Sequence, residues 1–254
     1  MIDGLSLLAK NDIPFISAEL NIHQPSLKEL GLIGEEAFFI GAQFLTINKD
    51  VVKGVAEEEL EKISNFDIIL QLINDPGPES KYNKTCAESL LTLLFPDYQI
   101  LFLPTMIAFV KDGKNHILNE KNFDEFQQII KQMFCLDNLS GRPAQEYDPA
   151  NKHAELIANK IKAGRKKLAE IKAQQNHGQK ITILSRYLSI LAVGEQKDLN
   201  ALLQYSVYQL FDEFNRFSLR EQSDFYLEAK MAGAKDLQEV DNWMKDIHSS
   251  SEQN

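Results

Sequence analysis

Two cysteines and one tryptophan in 254 residues leave little material for several kinds of chemistry. Cys86 and Cys135 have no CxxC spacing and no neighbouring histidine, so they read as free thiols in a reducing compartment. The five histidines, His23, His116, His153, His177 and His248, stand far apart with no HxxxH or HExxH pair. No metal-binding helix is therefore spelled out, and no metal or cofactor is expected. A Gly-x-Ser-x-Gly elbow is also missing. Long hydrophobic runs are absent, and none reaches the length of a membrane span. The opening MIDGLSLLAKND has no basic start followed by a long apolar stretch, which reads as a chain without a signal peptide and places it in the cytoplasm. Positive charge is in deficit, with 27 Lys and Arg against 37 Asp and Glu. The resulting net charge of −10 disfavours general nucleic-acid binding, because a duplex would repel the whole.

What is present is an ordinary globular composition, 44% apolar and 25% charged, which excludes a disordered chain. The most telling stretch is Asp198–Phe217. Leu199, Leu202, Leu203, Leu210, Phe211, Phe214 and Phe217 recur at three-and-four spacing, with Val207 between the clusters, and predict one amphipathic helix capped by Asp198. Five Leu and Phe side chains alone represent roughly 7–15 kcal/mol of transfer free energy. That face must pack on this chain or on a partner.

Earlier in the chain, residues 2–23 read as short extended pieces, because Ile13, Phe15, Leu20 and Ile22 alternate with polar neighbours, Pro14 marking an edge. Ser26 and Glu29 have capping-box spacing before Leu27, Leu30 and Ile33. Gly34 is expected to break or bend the helix before Glu35–Thr46 continues. An acidic helix is read at Glu57–Ile63 and an apolar run at Phe66–Ile73, both stopped by Asp75-Pro76-Gly77-Pro78. The Gly77–Thr85 stretch superficially approaches a phosphate-binding loop. The glycines such a loop needs are replaced by Pro78 and Asn83, so a solvated loop is expected, followed by a short helix at Ala87–Leu94. Strands are predicted at Ile100–Leu103, Thr105–Val110 and Asn115–Leu118, the last two joined through Lys111-Asp112-Gly113-Lys114, a strong hairpin signal. Asn122 and Glu125 suggest a second capping box for a helix carrying Phe123, Phe126, Ile130, Met133 and Phe134.

Ser140 to Pro149 is polar and reads as a linker. Ala150–Gln174 holds seven Lys and Arg against two Glu, while residues 212–254 hold ten Asp and Glu against five Lys and Arg. The basic stretch reads as a solvated helix face, one docked on the acidic tail or a contact for an acidic protein partner, and nucleic-acid contact is disfavoured because no aromatics interleave for base stacking. A helix is predicted at Ile181–Val193, another from about Arg220 to Met231, and Gly233 should end the latter. The fold class is α+β: a small antiparallel sheet with covering helices in the N-terminal half, and an all-helical C-terminal half. The expected division is an α+β domain at 1–140, a linker at 141–149 and a helical domain with an acidic tail at 150–254.

No nucleophile, base or facing carboxylate pair emerges, since neighbours such as Asp212 and Glu213 point to different sides of a helix. The candidate residues are instead adhesive. Tyr205, Tyr208, Phe211, Phe214 and Phe217 have helical spacing, and Trp243 lies in the tail. They read as core packing or as partner anchors.

Several stretches together resemble a family of tail assembly proteins from tailed bacteriophages of Gram-positive hosts. These are Ile22-His23-Gln24-Pro25-Ser26-Leu27-Lys28-Glu29-Leu30 with Ile33-Gly34-Glu35, and Leu94-Phe95-Pro96 through Phe109-Val110-Lys111-Asp112-Gly113. Further along come Ser206-Val207-Tyr208-Gln209-Leu210-Phe211-Asp212-Glu213-Phe214-Asn215-Arg216-Phe217, then Met231-Ala232-Gly233-Ala234-Lys235 and Asn242-Trp243-Met244-Lys245-Asp246-Ile247. The resemblance implies a non-enzymatic chaperone of the tape-measure protein, working in the host cytoplasm during tail assembly, with phage tail proteins as partners and a homo-oligomer as an open option. A structural component of the virion tail, neck or baseplate is the alternative. No catalytic residues come with it.

Overall fold

Serine and asparagine at the starts of apolar stretches set much of this architecture. A computed structural model describes residues 2–49, 63–136, 182–233 and 242–244. The expectations for Glu57–Ile63 (apart from Ile63), the linker, the basic stretch 150–174 and the tail apart from residues 242–244 lie outside these residues. The described order is α1 (Gly4–Leu8), β1 (Ile13–Phe15), a 3-10 turn (Ile16–Ala18), β2 (Leu20–Ile22), α2 (Leu27–Ile33) and α3 (Glu35–Leu45). It continues with α4 (Asn65–Asn74), α5 (Pro78–Leu94), β3 (Gln99–Leu103), β4 (Met106–Lys111), β5 (Lys114–Leu118) and α6 (Glu120–Met133). Last come α7 (Ile183–Gly194), α8 (Leu199–Leu202) and α9 (Val207–Met231). The fold is α+β, with two small antiparallel sheets among helices: β1 pairs with β2, and β3-β4-β5 form a meander.

Four helices begin in reciprocal capping boxes: Ser26 with Glu29, Ser64 with Asp67, Asn119 with Asn122, and Ser206 with Gln209. Each pair satisfies amides that the first helical turn leaves without partners. The hairpin at Asp112-Gly113 holds both residues at positive φ, 51° and 76°, the geometry of a primed turn between twisted strands. Gly34, at φ 86°, ends α2 and starts α3 without a side-chain penalty.

Several elements depart from the sequence reading. Residues 78–86 are helix, not loop: α5 runs unbroken from Pro78, whose missing amide hydrogen costs nothing at the first helical position. Gly77–Thr85 is thereby committed mostly to helix rather than to a phosphate cradle. Gly4–Leu8 is a helix capped by Asp3, not an extended piece. The box before α6 is Asn119/Asn122 rather than Asn122/Glu125, and Asn122 is buried with its amide donating to the Ile117 carbonyl at 2.8 Å. The helix expected over Asp198–Phe217 is split. Asp198 does cap the first part, but the chain turns at Leu203–Tyr205 and restarts at the Ser206 box. The second part runs through Arg220 to Met231 as one helix.

The core is rich in phenylalanine. Phe15, Phe38, Phe66, Phe95, Phe109, Phe123, Phe126 and Phe134 are all fully buried, and they pack ring against ring. Phe38 meets Phe134 edge-on at 4.9 Å, and Phe95 meets Phe109 at 4.4 Å. α3 lies tightly on α5, and Gly41 permits it: a Cβ there would stand 2.7 Å from the Cys86 carbonyl oxygen. Cys86 and Cys135 are both buried and form no disulfide.

The described residues up to Leu136 and those from Thr182 form one compact unit. The seam between them is backbone-to-backbone. Ser26 and Ser206 form an antiparallel bridge, Leu27 N donates to Tyr205 O at 2.8 Å, and Lys28 N donates to Leu203 O at 2.9 Å. First-turn amides of α2, orphaned within their own helix, thus find carbonyls in the turn before α9. Around the seam, Lys10 Nζ reaches Gln204 O at 2.9 Å and Gln209 Nε2 reaches Leu8 O at 2.6 Å. The Glu35 carboxylate accepts from Leu184 N at 2.6 Å and Ser185 N at 3.2 Å, so the start of α3 caps the start of α7. His23 lies between two carboxylates, 3.1 Å from Asp12 and 3.6 Å from Glu29.

Candidate partner-binding site

The first turns of α9 are core. Tyr208 and Phe211 are buried, as are Val207, Leu210 and Asp212. One turn on, Phe214 is half-buried and stacked flat on Tyr187 of α7, centroids 3.6 Å apart at 7°. Tyr187 also meets Phe211 edge-on at 5.3 Å. Three candidate residues are therefore spent, wholly or partly, on holding α9 to the body.

The other three line a single open cleft. Tyr205, Phe217 and Trp243 share it with Leu8 and with charged groups from the α7–α8 connection and α9. Its volume is about 470 Å³, within the range of ligand-sized pockets. Phe217 lies across the end of α7 because Gly194 is there. A Cβ on Gly194 would come within 2.4 Å of the Phe217 ring.

Charge in the cleft is balanced: Glu195, Asp212 and Glu213 face Lys197, Arg216 and Arg220. Lys197 pairs with Glu213 and stands 5.8 Å from the centre of the Tyr205 ring. Arg220 bonds Glu195 at 2.8 Å and lies 5.6 Å from the Phe217 ring centre. Arg216 is 3.5 Å from Asp212 and donates to the Trp243 carbonyl at 3.5 Å. Cations over aromatic faces hold the rings while their charge is matched by carboxylates. The result is an apolar strip between paired charges, on a chain that is otherwise strongly acidic. Such a surface accepts an amphipathic segment without stranding a charge.

Near the seam, Glu29 shows how local contacts set ionisation. Burial pushes its carboxyl up, but hydrogen bonds from the Ser26 hydroxyl and amide, with the charges of His23 and Lys10, outweigh that and hold it below the ordinary range. Burial pushes the Cys86 thiol up, which lowers its nucleophilicity at neutral pH. His116 sits on β5 with Nδ1 2.9 Å from the Ala18 carbonyl, and Cys135 is buried just after α6. Among the described residues no three His, Cys, Asp or Glu side chains gather as a metal-ion group, and no helix is long and apolar enough to cross a membrane.

The charged walls were not legible as a site beforehand. Asp212 and Arg216 have salt-bridge spacing on a helix, and Arg220 continues it. But Glu195, Lys197 and Leu8 join only through the tertiary fold.

Residues 173–248 match the family model of the YomV second domain, YomV being a Bacillus phage-region protein. The matched segment covers less than a third of the chain. No curated protein and no solved structure matches the chain. The segment that carries α7, α8, α9 and all six candidate residues is thus similar to a domain of a phage protein.

Proposed function

We propose that this protein is a non-enzymatic chaperone of phage tail assembly that holds apolar helical segments of the tape-measure protein in the host cytoplasm. The observation that carries the reading is the cleft, where Tyr205, Phe217, Trp243 and Leu8 present apolar surface between matched ion pairs. A tape-measure protein is long and helical, with apolar stripes uncovered until the tube closes round it. An amphipathic helix laid in a groove is a common way to cover such stripes. The acidic surface, net −10, keeps the complex soluble. The similarity to a phage-region domain over residues 173–248 agrees with the setting.

The test is co-expression with tape-measure fragments, followed by purification and mass spectrometry of finished particles. The chaperone reading expects the fragments to co-purify with this protein and the protein to be missing from particles. Stoichiometric presence in purified virions would replace it with a structural role in the tail, neck or baseplate.

A further inference from the structure

The β3-β4-β5 meander has one face in the core and one that is nearly as apolar. Cross-strand partners share a face, so the register Leu101↔Ala108↔Ile117 and Leu103↔Met106 defines the second face. The first face holds Ile107, Phe109 and Leu118, all fully buried. On the second face Leu101, Leu103 and Ile117 are each more than a third exposed, and the polar members are the uncharged Gln99 and Asn115.

The edges of the sheet are also unequal. β5 lies against the Ile16–Ala18 turn, with His116 bound to the Ala18 carbonyl. Among the described residues no strand pairs with the outer edge of β3. β3 reads Gln99-Ile100-Leu101-Phe102-Leu103. It has no charge, no internal proline and no bulge, the devices with which proteins normally guard an open edge. An edge strand selects an extended strand as partner, since only a strand can continue the ladder.

We infer that β3 pairs antiparallel with β3 of a second copy of this chain, about a two-fold axis through Leu101. The register suits a copy. Centred on Leu101, the pairing sets Gln99 opposite Leu103 and Ile100 opposite Phe102. Residues of equal parity meet, so each apolar outer face continues into the other and each core face into the other. A copy also brings the same uncharged strand, whereas the rest of this acidic chain would repel itself. The pairing uses the outer edge of β3 on each side, so the assembly closes at two. A five-residue strand spans about 17 Å, which places the contact at the small end of interfaces, below ~1,200 Å², and makes the dimer reversible.

The test is light scattering and sedimentation of the full chain over a concentration series. The mass should rise from 28.9 kDa toward twice that value. Leu101→Lys, which sets two cations against each other at the axis, should hold the mass at the monomer value with an unchanged melting temperature. Leu101→Cys should cross-link to a covalent dimer at least tenfold faster than Leu32→Cys, Leu32 being an exposed control on α2. A monomer at every concentration would overturn the inference, including the case where β3 takes a strand from another protein. So would a dimer untouched by Leu101→Lys, or cross-linking no faster than the control.

Discussion

Aromatic rings serve two regions of this molecule in opposite ways. In the phenylalanine core rings meet rings, and among the described residues no cation lies over them: Phe38 against Phe134, Phe15 against Phe126, Phe66 against Phe123. In the cleft beside α9, rings meet cations that are themselves paired, Lys197 at Tyr205 and Arg220 at Phe217. The core arrangement has one good packing and tolerates no loss. The cleft arrangement leaves ring surface at the solvent boundary, with side chains long enough to rearrange around a guest. The lesson is that neighbours, not residue type, decide whether an aromatic stabilises the fold or stays available to a partner.

The largest effect that probes this contrast is in the core. Phe38→Ala should cost about 3–5 kcal/mol, the range for a buried aromatic lost from a well-packed site, read as a lower denaturant midpoint with unchanged m-value. A cost near 1 kcal/mol would mean the core is looser than the ring packing implies. Next comes the seam that carries the cleft. Ser206→Ala removes the acceptor for Gln209 N and should cost ~0.5–2 kcal/mol, with hydrogen exchange rising first at the start of α9. The core should stay protected in that experiment.

A smaller, pH-dependent effect belongs to Glu29. Its folded pKa lies below the unfolded value, so the stability it contributes is present above the unfolded pKa, near 4. That stability is lost as pH falls through the folded value. Denaturation midpoints of wild type and Ser26→Ala should therefore converge as pH drops below about 4. A constant gap across that range would remove the Ser26–Glu29 contact as the cause. The smallest stability effect is expected in the cleft, where Phe217→Ala should stay within about 1 kcal/mol.

The same contrast governs what the sequence could reveal. Local signals carried their elements: Asp112-Gly113 announces its turn because only a few residue types accept both positive φ values, and Ser26 with Glu29 announces α2. The first half of α5 was illegible because Ser, Lys and Asn resemble a loop until Cys86, Ala87 and Leu90 are seen to anchor the helix on α3. The break at Leu203–Tyr205 was hidden by apolar spacing that runs straight through it. What favours the break is distant, the α2 amides that take the Leu203 and Tyr205 carbonyls. The cleft was half legible. Tyr205, Phe217 and Trp243 were among six aromatics that read alike as core packing or partner anchors, but Leu8, Glu195 and Lys197 come from elsewhere in the chain. Tyr208 and Phe211 look no different in sequence from Phe217, and only packing separates them.

Titration calorimetry with an apolar helical fragment of the tape-measure protein tests the central claim most directly, comparing wild type with a Phe217→Ala, Trp243→Ala double variant. The account predicts a loss of tenfold or more in affinity, the size expected for aromatic anchors, with melting temperatures that differ little. Equal affinity in the two proteins would contradict it.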